Sequence, residues 1–215
     1  MSVDLLEEYI AAGDLKGLNE LLTENPALAK TKTSQQVSPL MLSCYYKKPE
    51  VSALLLKYAD EISLFEASAV GKFDVVAHLL YSHPDAVNDY ADDGFTPLGL
   101  ACYFGQFEVA RYLVLKGADV NQPSNNGFQV FPIHSAAAGN YNDIAKMLID
   151  NGAKVNVRQQ AGATPLHSAA QNGNLELLIL LLENGAETDV RMEGGKMAAD
   201  LAMEKGFKEI AEILS

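Results

Sequence analysis

Basic side chains are scarce in this sequence of 215 residues. There are 16 Lys and Arg against 28 Asp and Glu, which gives a formal net charge of −12. Binding to nucleic acid depends on clustered basic residues that displace counterions, and binding to anionic membranes depends on the same sign of charge. The charge balance argues against both partners. It suits a partner protein with a basic surface, although an acidic chain is also explained by solubility alone.

Long apolar runs are absent as well. No stretch reaches the roughly 20 apolar residues that cross a bilayer as a helix. Residues 2–8 include three acids, where a signal peptide would be basic and then apolar. We therefore expect a cytoplasmic protein, with export through a different signal as the alternative.

The sequence also lacks a recognisable catalytic motif. Ser135 and Ser168 each follow a histidine directly, but neighbouring helical residues point apart and no orienting third group accompanies them. The segment Glu193-Gly194-Gly195-Lys196 has neither the spacing nor the following Ser or Thr of a phosphate loop. We expect no catalytic residue, no metal site and no cofactor.

An internal repeat, by contrast, runs through the chain. Its clearest copies are Thr164-Pro165-Leu166-His167, Thr96-Pro97-Leu98 and Phe131-Pro132-Ile133-His134. Weaker copies start near residues 4, 38, 62 and 197. Successive starts are 33 to 35 residues apart, except for the step of 24 residues from 38 to 62.

These copies resemble the ankyrin repeat, which has a period of 33 residues and a Thr-Pro-Leu-His signature. The second halves agree, as in Leu113 to Asn121 and Met147 to Asn156. The resemblance covers nearly the whole chain, although only the copy at 164 carries the full signature. It implies an all-α solenoid of stacked antiparallel helix pairs with short β-hairpin-like fingers, in a single domain over residues 1–215.

The ends and the irregular steps carry further expectations. The copies at 4 and 197 are rich in charged residues, which is typical of the capping repeats of a solenoid. The short step after the copy at 38 leaves no room for a finger, so we predict a gap in the finger row there. The step of 35 residues after the copy at 96 predicts a longer finger around residues 122–130.

Three residue types have a structural explanation. Cys44 and Cys102 occupy equivalent positions two repeats apart, so at about 8–10 Å per helix they lie beyond disulfide reach and should be buried and free. The resemblance implies that His134 and His167 fasten the bases of the fingers. Asn121 resembles an asparagine that some family members have hydroxylated, but a bond to the finger backbone is a sufficient role.

Partner binding, by the same resemblance, falls on the concave side, at the finger tips and the exposed ends of the first helices. Two aromatic pairs, Tyr45-Tyr46 and Tyr103-Phe104, occupy that helix end. Aromatic side chains are favoured binding anchors because they bury a large area at a low entropy cost. We expect Tyr46 and Phe104 to be exposed, whereas Tyr45 and Tyr103 fit either exposure or packing between repeats.

The predicted binding surface combines these four aromatic residues with side chains at the finger tips. The sequence therefore predicts a monomeric, non-enzymatic protein-interaction module: an adaptor, a scaffold or an inhibitor. The alternatives are a small-molecule-binding or catalytic protein on a solenoid scaffold, which needs a deep polar pocket, and a chain that works only inside a larger assembly. The finger-tip residues are Tyr90, Asp92, Phe95, Phe128, Arg158 and Gln160.

Overall fold

The computed structural model describes residues 2–215, which form helices joined by turns and contain no strand. Consecutive α-helices form seven antiparallel pairs, numbered here from pair 1 (α1 and α2) to pair 7 (α13 and α14). Two short 3-10 helices, Pro26–Lys30 and Pro84–Asn88, follow α2 and α6. The α-helices are α1 Ser2–Ala12, α2 Leu15–Glu24, α3 Pro39–Tyr45, α4 Pro49–Leu55, α5 Leu64–Val70, α6 Phe73–Ser82, α7 Pro97–Tyr103, α8 Phe107–Leu115, α9 Pro132–Ala138, α10 Asn142–Asp150, α11 Pro165–Asn172, α12 Leu175–Glu183, α13 Ala198–Lys205 and α14 Lys208–Ile213.

The start of each first helix follows from local chemistry. In pair 4 the Thr96 side chain accepts a hydrogen bond from the Gly99 N–H, and Pro97 occupies the first helical position. Ser38 caps α3 in the same way by accepting from the Met41 N–H. These contacts satisfy amides that a helix leaves unpaired, and proline has no such amide to lose.

Small side chains allow the first helices to stack. Ala101, Ala136 and Ala169 are fully buried where α7, α9 and α11 pack on one another. The row continues from α1 through α3, α5 and onward to α13. An isolated pair could not bury its apolar face, so stability comes from neighbouring pairs. The all-α solenoid expected from the sequence is confirmed.

The buried core is divided between pairs 2 and 3. One large apolar cluster extends from Leu64 to Leu214, and a second extends from Leu6 to Leu55. A third, small cluster lies at the division and joins buried residues of α3, α5 and α7: Met41, Cys44, Ala69 and Leu100. We call this region the junction.

Each finger is a turn in which the backbone N–H of the first residue donates to the carbonyl of the last. The first finger spans residues 33–37, the second 91–95, the third 124–130, the fourth 159–163 and the fifth 192–196. Fingers 2 to 5 form a row in which fingers 3, 4 and 5 each donate one backbone N–H to a carbonyl of the preceding finger, at 2.8–2.9 Å. Residues 56–63, between α4 and α5, form no comparable turn, so fingers 1 and 2 are consecutive in space.

Asparagine side chains clamp the turns of successive pairs. Asn121 donates to the Gly152 carbonyl (3.0 Å) and accepts from the Lys154 N–H (2.9 Å). Asn88 and Asn156 make the same two bonds one repeat earlier and one repeat later. Asn121 therefore has the structural role that the sequence suggested.

Candidate functional site

Four aromatic rings meet at the junction. Tyr103 lies 5.0 Å from Phe104, 6.0 Å from Tyr45 and 6.1 Å from Phe95, measured between ring centroids. Tyr45 also lies 5.4 Å from Phe104. We call these four residues the aromatic cluster. They come from the end of α3, the end of α7 with the turn after it, and the second finger, so the stacking of pairs 2 and 4 brings them together.

The exposure of the two predicted aromatic pairs agrees with the sequence analysis except at Phe104. Tyr46 is 42% exposed, as expected, and Gln35 reaches its hydroxyl at 3.4 Å. Tyr103 is 41% exposed, but Phe104, which we expected to be exposed, is half-buried. Phe104 packs between Tyr45 and Tyr103, because pair 3 has the smaller Ala69 and Val70 at this position.

Two polar contacts connect pairs 1 and 2 to the second finger. The Tyr45 hydroxyl donates to an Asp93 carboxylate oxygen at 2.6 Å. Burial and this bond both raise the pKa of the Tyr45 phenol, so it stays protonated. The Lys32 ammonium, next to the first finger, forms an exposed ion pair with Asp92. Both contacts cross the space that a finger after pair 2 would occupy.

A cavity of about 430 Å³ lies where a finger after pair 2 would be. We call it the junction cavity. Its acidic lining residues are Glu61, Glu66, Asp92 and Asp93, and its basic ones are Lys30 and Lys32. Lys30 and Lys32 pair with Asp60 and Asp92, respectively. Acidic groups outnumber basic ones around the cavity, which agrees in sign with the net charge of the chain.

The remaining predicted residues lie along the finger row. Tyr90 is half-exposed, and its hydroxyl donates to the Pro123 carbonyl at 3.0 Å. Phe128 is 61% exposed at the tip of the long third finger. Its carbonyl accepts the Gln160 N–H (2.9 Å), and Arg158 is exposed next to the fourth finger. Phe128, Arg158 and Gln160 therefore form a group separate from the aromatic cluster.

A second cavity, of about 690 Å³, lies along the turns inside pairs 2 to 5. The residues that line it include Lys47, Lys48 and Lys72, together with Tyr103 and Phe104 of the aromatic cluster. We call it the lysine groove. These lysines are not among the site residues predicted from the sequence. A signal was available in the repeat register, because Lys48 and Lys72 occupy the same position in adjacent pairs.

Two buried histidines are structural. The Nδ1 atom of His134 accepts the Phe131 N–H (3.3 Å), and its Nε2–H donates to the Ala163 carbonyl (3.0 Å) at the end of the fourth finger. Burial lowers the His134 pKa to about 4 and also lowers the pKa of His167. Both rings are therefore neutral at pH 7, and His167 accepts the Thr164 N–H in the same way.

The cysteines form no disulfide and belong to no metal-binding group within residues 2–215. Cys44 and Cys102 are buried and unpaired, as expected, and burial raises the pKa of the Cys44 thiol to about 11. Within residues 2–215, no group of three His, Cys, Asp or Glu residues is arranged to hold a metal ion. No helix in that range is long and apolar enough to cross a membrane.

Comparison with known proteins yields a family and several partial relatives. A family model described as ankyrin repeats, in three copies, matches residues 64–159 and 133–215. The matched region starts at Leu64, which is the first residue of α5 and of the larger apolar cluster. Pairs 1 and 2 lie outside it.

Three similar proteins cover about half of this chain or more. They are the ankyrin repeat and SAM domain-containing protein 6 of Rattus norvegicus (36% identical over 102 residues), a putative ankyrin repeat protein of Rickettsia felis (35% over 110) and the probable 26S proteasome regulatory subunit p28 of Saccharomyces cerevisiae (29% over 146). The alignments cover 47%, 48% and 66% of this chain. They cover only 11%, 46% and 53% of the relatives, so the chain spans about half their length or less.

Proposed function

Because this chain belongs to the ankyrin-repeat family, we propose that it is a non-enzymatic protein-interaction module that acts as an adaptor, a scaffold or an inhibitor. The observation that carries the proposal is the exposure of Tyr46 and Tyr103 beside the half-buried rings of the aromatic cluster. Large exposed aromatic side chains on a rigid support are favoured anchors for a partner. The seven helix pairs correspond in this proposal to repeats starting near residues 4, 38, 62, 96, 131, 164 and 197.

The proposed surface extends from the aromatic cluster to the finger tips. Tyr90 and Asp92 extend it over the junction cavity, and Phe128, Arg158 and Gln160 extend it toward pair 6. The excess of acids at the junction cavity favours a partner with a basic side chain at that point. We propose a cytoplasmic monomer that binds neither nucleic acid nor membranes, as the net charge of −12 suggests.

The yeast relative adds a precedent of the same kind. It is named as a probable regulatory subunit of the 26S proteasome, and a subunit works through contacts with other proteins. This supports an interaction role for the shared repeats. It leaves the partner of the present chain open, because the alignment covers 53% of that relative.

The catalytic alternative requires free polar groups converging on a cavity. At the junction cavity, Glu66 accepts hydrogen bonds from Ser38 and Ser63, and Asp93 accepts from Tyr45. These contacts fix the acids between repeats, so a structural role explains them. The interaction module is the function that the geometry supports better.

Affinity capture from an extract of the source cells tests the proposal. The bait is the full chain, and the variants are Tyr46→Ala and Tyr103→Ala. Each should weaken binding of a specifically captured protein by about fivefold or more, which corresponds to about 1 kcal/mol. Tyr81→Ala is the matched control, because Tyr81 is an exposed tyrosine on α6 that lines neither cavity. Equal capture by all four baits would place the binding surface elsewhere.

A further inference from the structure

The lysine groove has a charge opposite to that of the whole chain. Its lining includes Lys47, Lys48 and Lys72 and contains no Asp or Glu. None of the three lysines forms an ion pair with any of residues 2–215. In a chain with 28 acids and 16 basic residues, a lining with three cations and no acid favours a negatively charged ligand.

The conformation of Lys47 is unfavourable for a lysine. Its φ is +54°, in the left-handed region that favours glycine. Every other pair has glycine or asparagine at the equivalent turn position, with φ between +59° and +85°. Non-glycine residues in this region are held there by their surroundings and are concentrated at functional sites. The glycine and asparagine residues are Gly13, Gly71, Gly105, Asn140, Gly173 and Gly206.

Lys48 and Lys72 each follow such a turn. They occupy the N-cap positions of α4 and α6, but their side chains cap neither helix. Asp14 and Asn174, at the same position in pairs 1 and 6, accept backbone N–H bonds and stabilise their helices. Lysine cannot accept such a bond. Pairs 2 and 3 therefore lack this helix-stabilising contact, as do pairs 4, 5 and 7.

The opposite side of the groove is aromatic. Tyr103, Phe104 and Tyr141 line it, and Ala69, Val70 and Ala138 add apolar surface. The Ser135 hydroxyl, which also lines the groove, has no hydrogen-bond partner within residues 2–215. A volume of about 690 Å³ is within the usual range of ligand-binding clefts, about 300–1,000 Å³. The groove thus combines an apolar wall with a basic wall.

We propose that the lysine groove binds an acidic segment of the partner protein. This inference rests on the proposed interaction function and specifies the partner at this surface. An aromatic or leucine side chain of the segment packs against Tyr103, Phe104 and Tyr141. Its carboxylates bind the ammonium groups of Lys47, Lys48 and Lys72. The partner then has acidic groups for this groove and a basic group for the junction cavity, on opposite sides of the aromatic cluster.

A short segment fits these charges better than a polyanion does. The net charge of −12 repels a long nucleic acid or an anionic membrane as a whole. A peptide that enters the groove interacts mainly with charges within the Debye length, about 8 Å at physiological salt. The charged side chains in the lining of the groove that such a peptide meets are those of the three lysines.

A displayed library of random peptides, about 12 residues long, tests the proposal while the partner is still unidentified. We expect selection on the full wild-type chain to enrich peptides rich in Asp and Glu that also contain an aromatic residue or leucine. Their affinity, measured by fluorescence anisotropy, should fall at least tenfold in the triple variant Lys47→Glu, Lys48→Glu and Lys72→Glu. The matched control is Lys154→Glu, Lys205→Glu and Lys208→Glu, which changes the net charge equally at exposed lysines outside the groove.

A single variant separates binding from folding. Lys47→Gly should raise the urea midpoint of unfolding, because glycine adopts the left-handed conformation freely, and should weaken the selected peptides severalfold. A lysine with only a structural role would not give this opposite pair of effects.

The remaining outcomes overturn the inference. The inference fails if the selection enriches no peptides, or enriches neutral or basic ones. It also fails if both triple variants lose affinity equally. Lysine-dependent binding of duplex DNA or phosphatidylserine vesicles in place of peptides would overturn it as well. If the selection enriches basic peptides whose affinity falls in Asp92→Asn or Asp93→Asn, the proposed interaction function stands and only the proposal of an acidic segment fails. The proposed function itself fails separately, in the capture experiment with Tyr46 and Tyr103.

Discussion

The hydroxyl of Tyr45 donates a 2.6 Å hydrogen bond to the carboxylate of Asp93, 48 residues further along the chain. Tyr45 ends α3 in pair 2, and Asp93 lies in the second finger, which leads into pair 4. The bond therefore bypasses pair 3. It fastens the N-terminal core to the larger C-terminal core at the point where the apolar clusters separate.

Removal of this hydroxyl tests how firmly the two cores are joined. Tyr45→Phe should lower the free energy of unfolding by about 1–2 kcal/mol, since a half-buried hydrogen bond to a carboxylate is lost. Urea unfolding followed by circular dichroism measures the change. Tyr90→Phe, which removes a bond from a half-exposed tyrosine to the Pro123 carbonyl, should cost only about 0.5 kcal/mol. Equal effects of the two variants would contradict a special role for Tyr45.

The divided core predicts that the chain does not open as one unit. Pairs 1 and 2 share few buried apolar contacts with the rest outside the small junction cluster. In repeat proteins stability is a sum of neighbour interfaces, and the weakest interface opens first. Hydrogen exchange measured by mass spectrometry should show α1–α4 opening at a lower free energy than α7–α12. Uniform protection across both regions would be inconsistent with a weak interface at the junction.

The asparagines that clamp successive turns should contribute more to the free energy of unfolding than other asparagines do. Asn121→Ala should lower the free energy of unfolding by about 1–2 kcal/mol, because the Lys154 N–H and the Gly152 carbonyl lose their partner. Asn125→Ala is the control, since its exposed side chain makes no hydrogen bond within residues 2–215. It should cost less than about 0.5 kcal/mol. Thermal unfolding of both variants measures the difference. If both variants lose stability equally, the clamp makes no special contribution.

Burial of His134 predicts a specific loss of stability in acid. Its pKa is about 4 in the folded chain and about 6.5 when unfolded, so between these values the unfolded state binds more protons. The stability present above pH 6.5 is therefore lost as the pH falls toward 4, by about 3 kcal/mol for 2.5 pKa units. His167, whose pKa is also lowered, adds in the same direction.

Urea unfolding at several pH values checks this prediction. His134→Gln should show a shallower dependence on pH between 6.5 and 4 than the wild type. His83→Gln, which changes an exposed histidine at the end of α6, should retain the wild-type slope. A wild-type slope in His134→Gln would mean that other groups cause the acid sensitivity.

Much of the architecture could be predicted because it depends on short-range patterns. Thr96 and Pro97 start a helix through a cap and a proline that needs no donor, and Ala101 permits close stacking wherever the repeat places it. The burial of Cys102 and His134 follows from the same repeat register, since each occupies a core position in its own repeat. These features need only a few neighbouring residues and the assumption of stacking.

The candidate site could be predicted only in part. Tyr46 was identified from its repeat position, but the burial of Phe104 depends on the small residues of pair 3, which leave room for Tyr45 to reach it. The strained Lys47 could be found by comparison of the turns, whereas its place in an acid-free groove could not. Contacts between repeats that are not adjacent depend on the curvature of the stack.

The sequence by itself determined the helix pairs, their order and the positions that face the core, because capping, small residues and turn glycines act over a few residues. Only the tertiary structure decided how fingers 1 and 2 meet, how the core divides and which charges share a groove. The physical reason is distance. Tyr45 and Asp93, or Lys32 and Asp92, approach each other only after several interfaces have been stacked, and small rotations at each interface add up to set their separation.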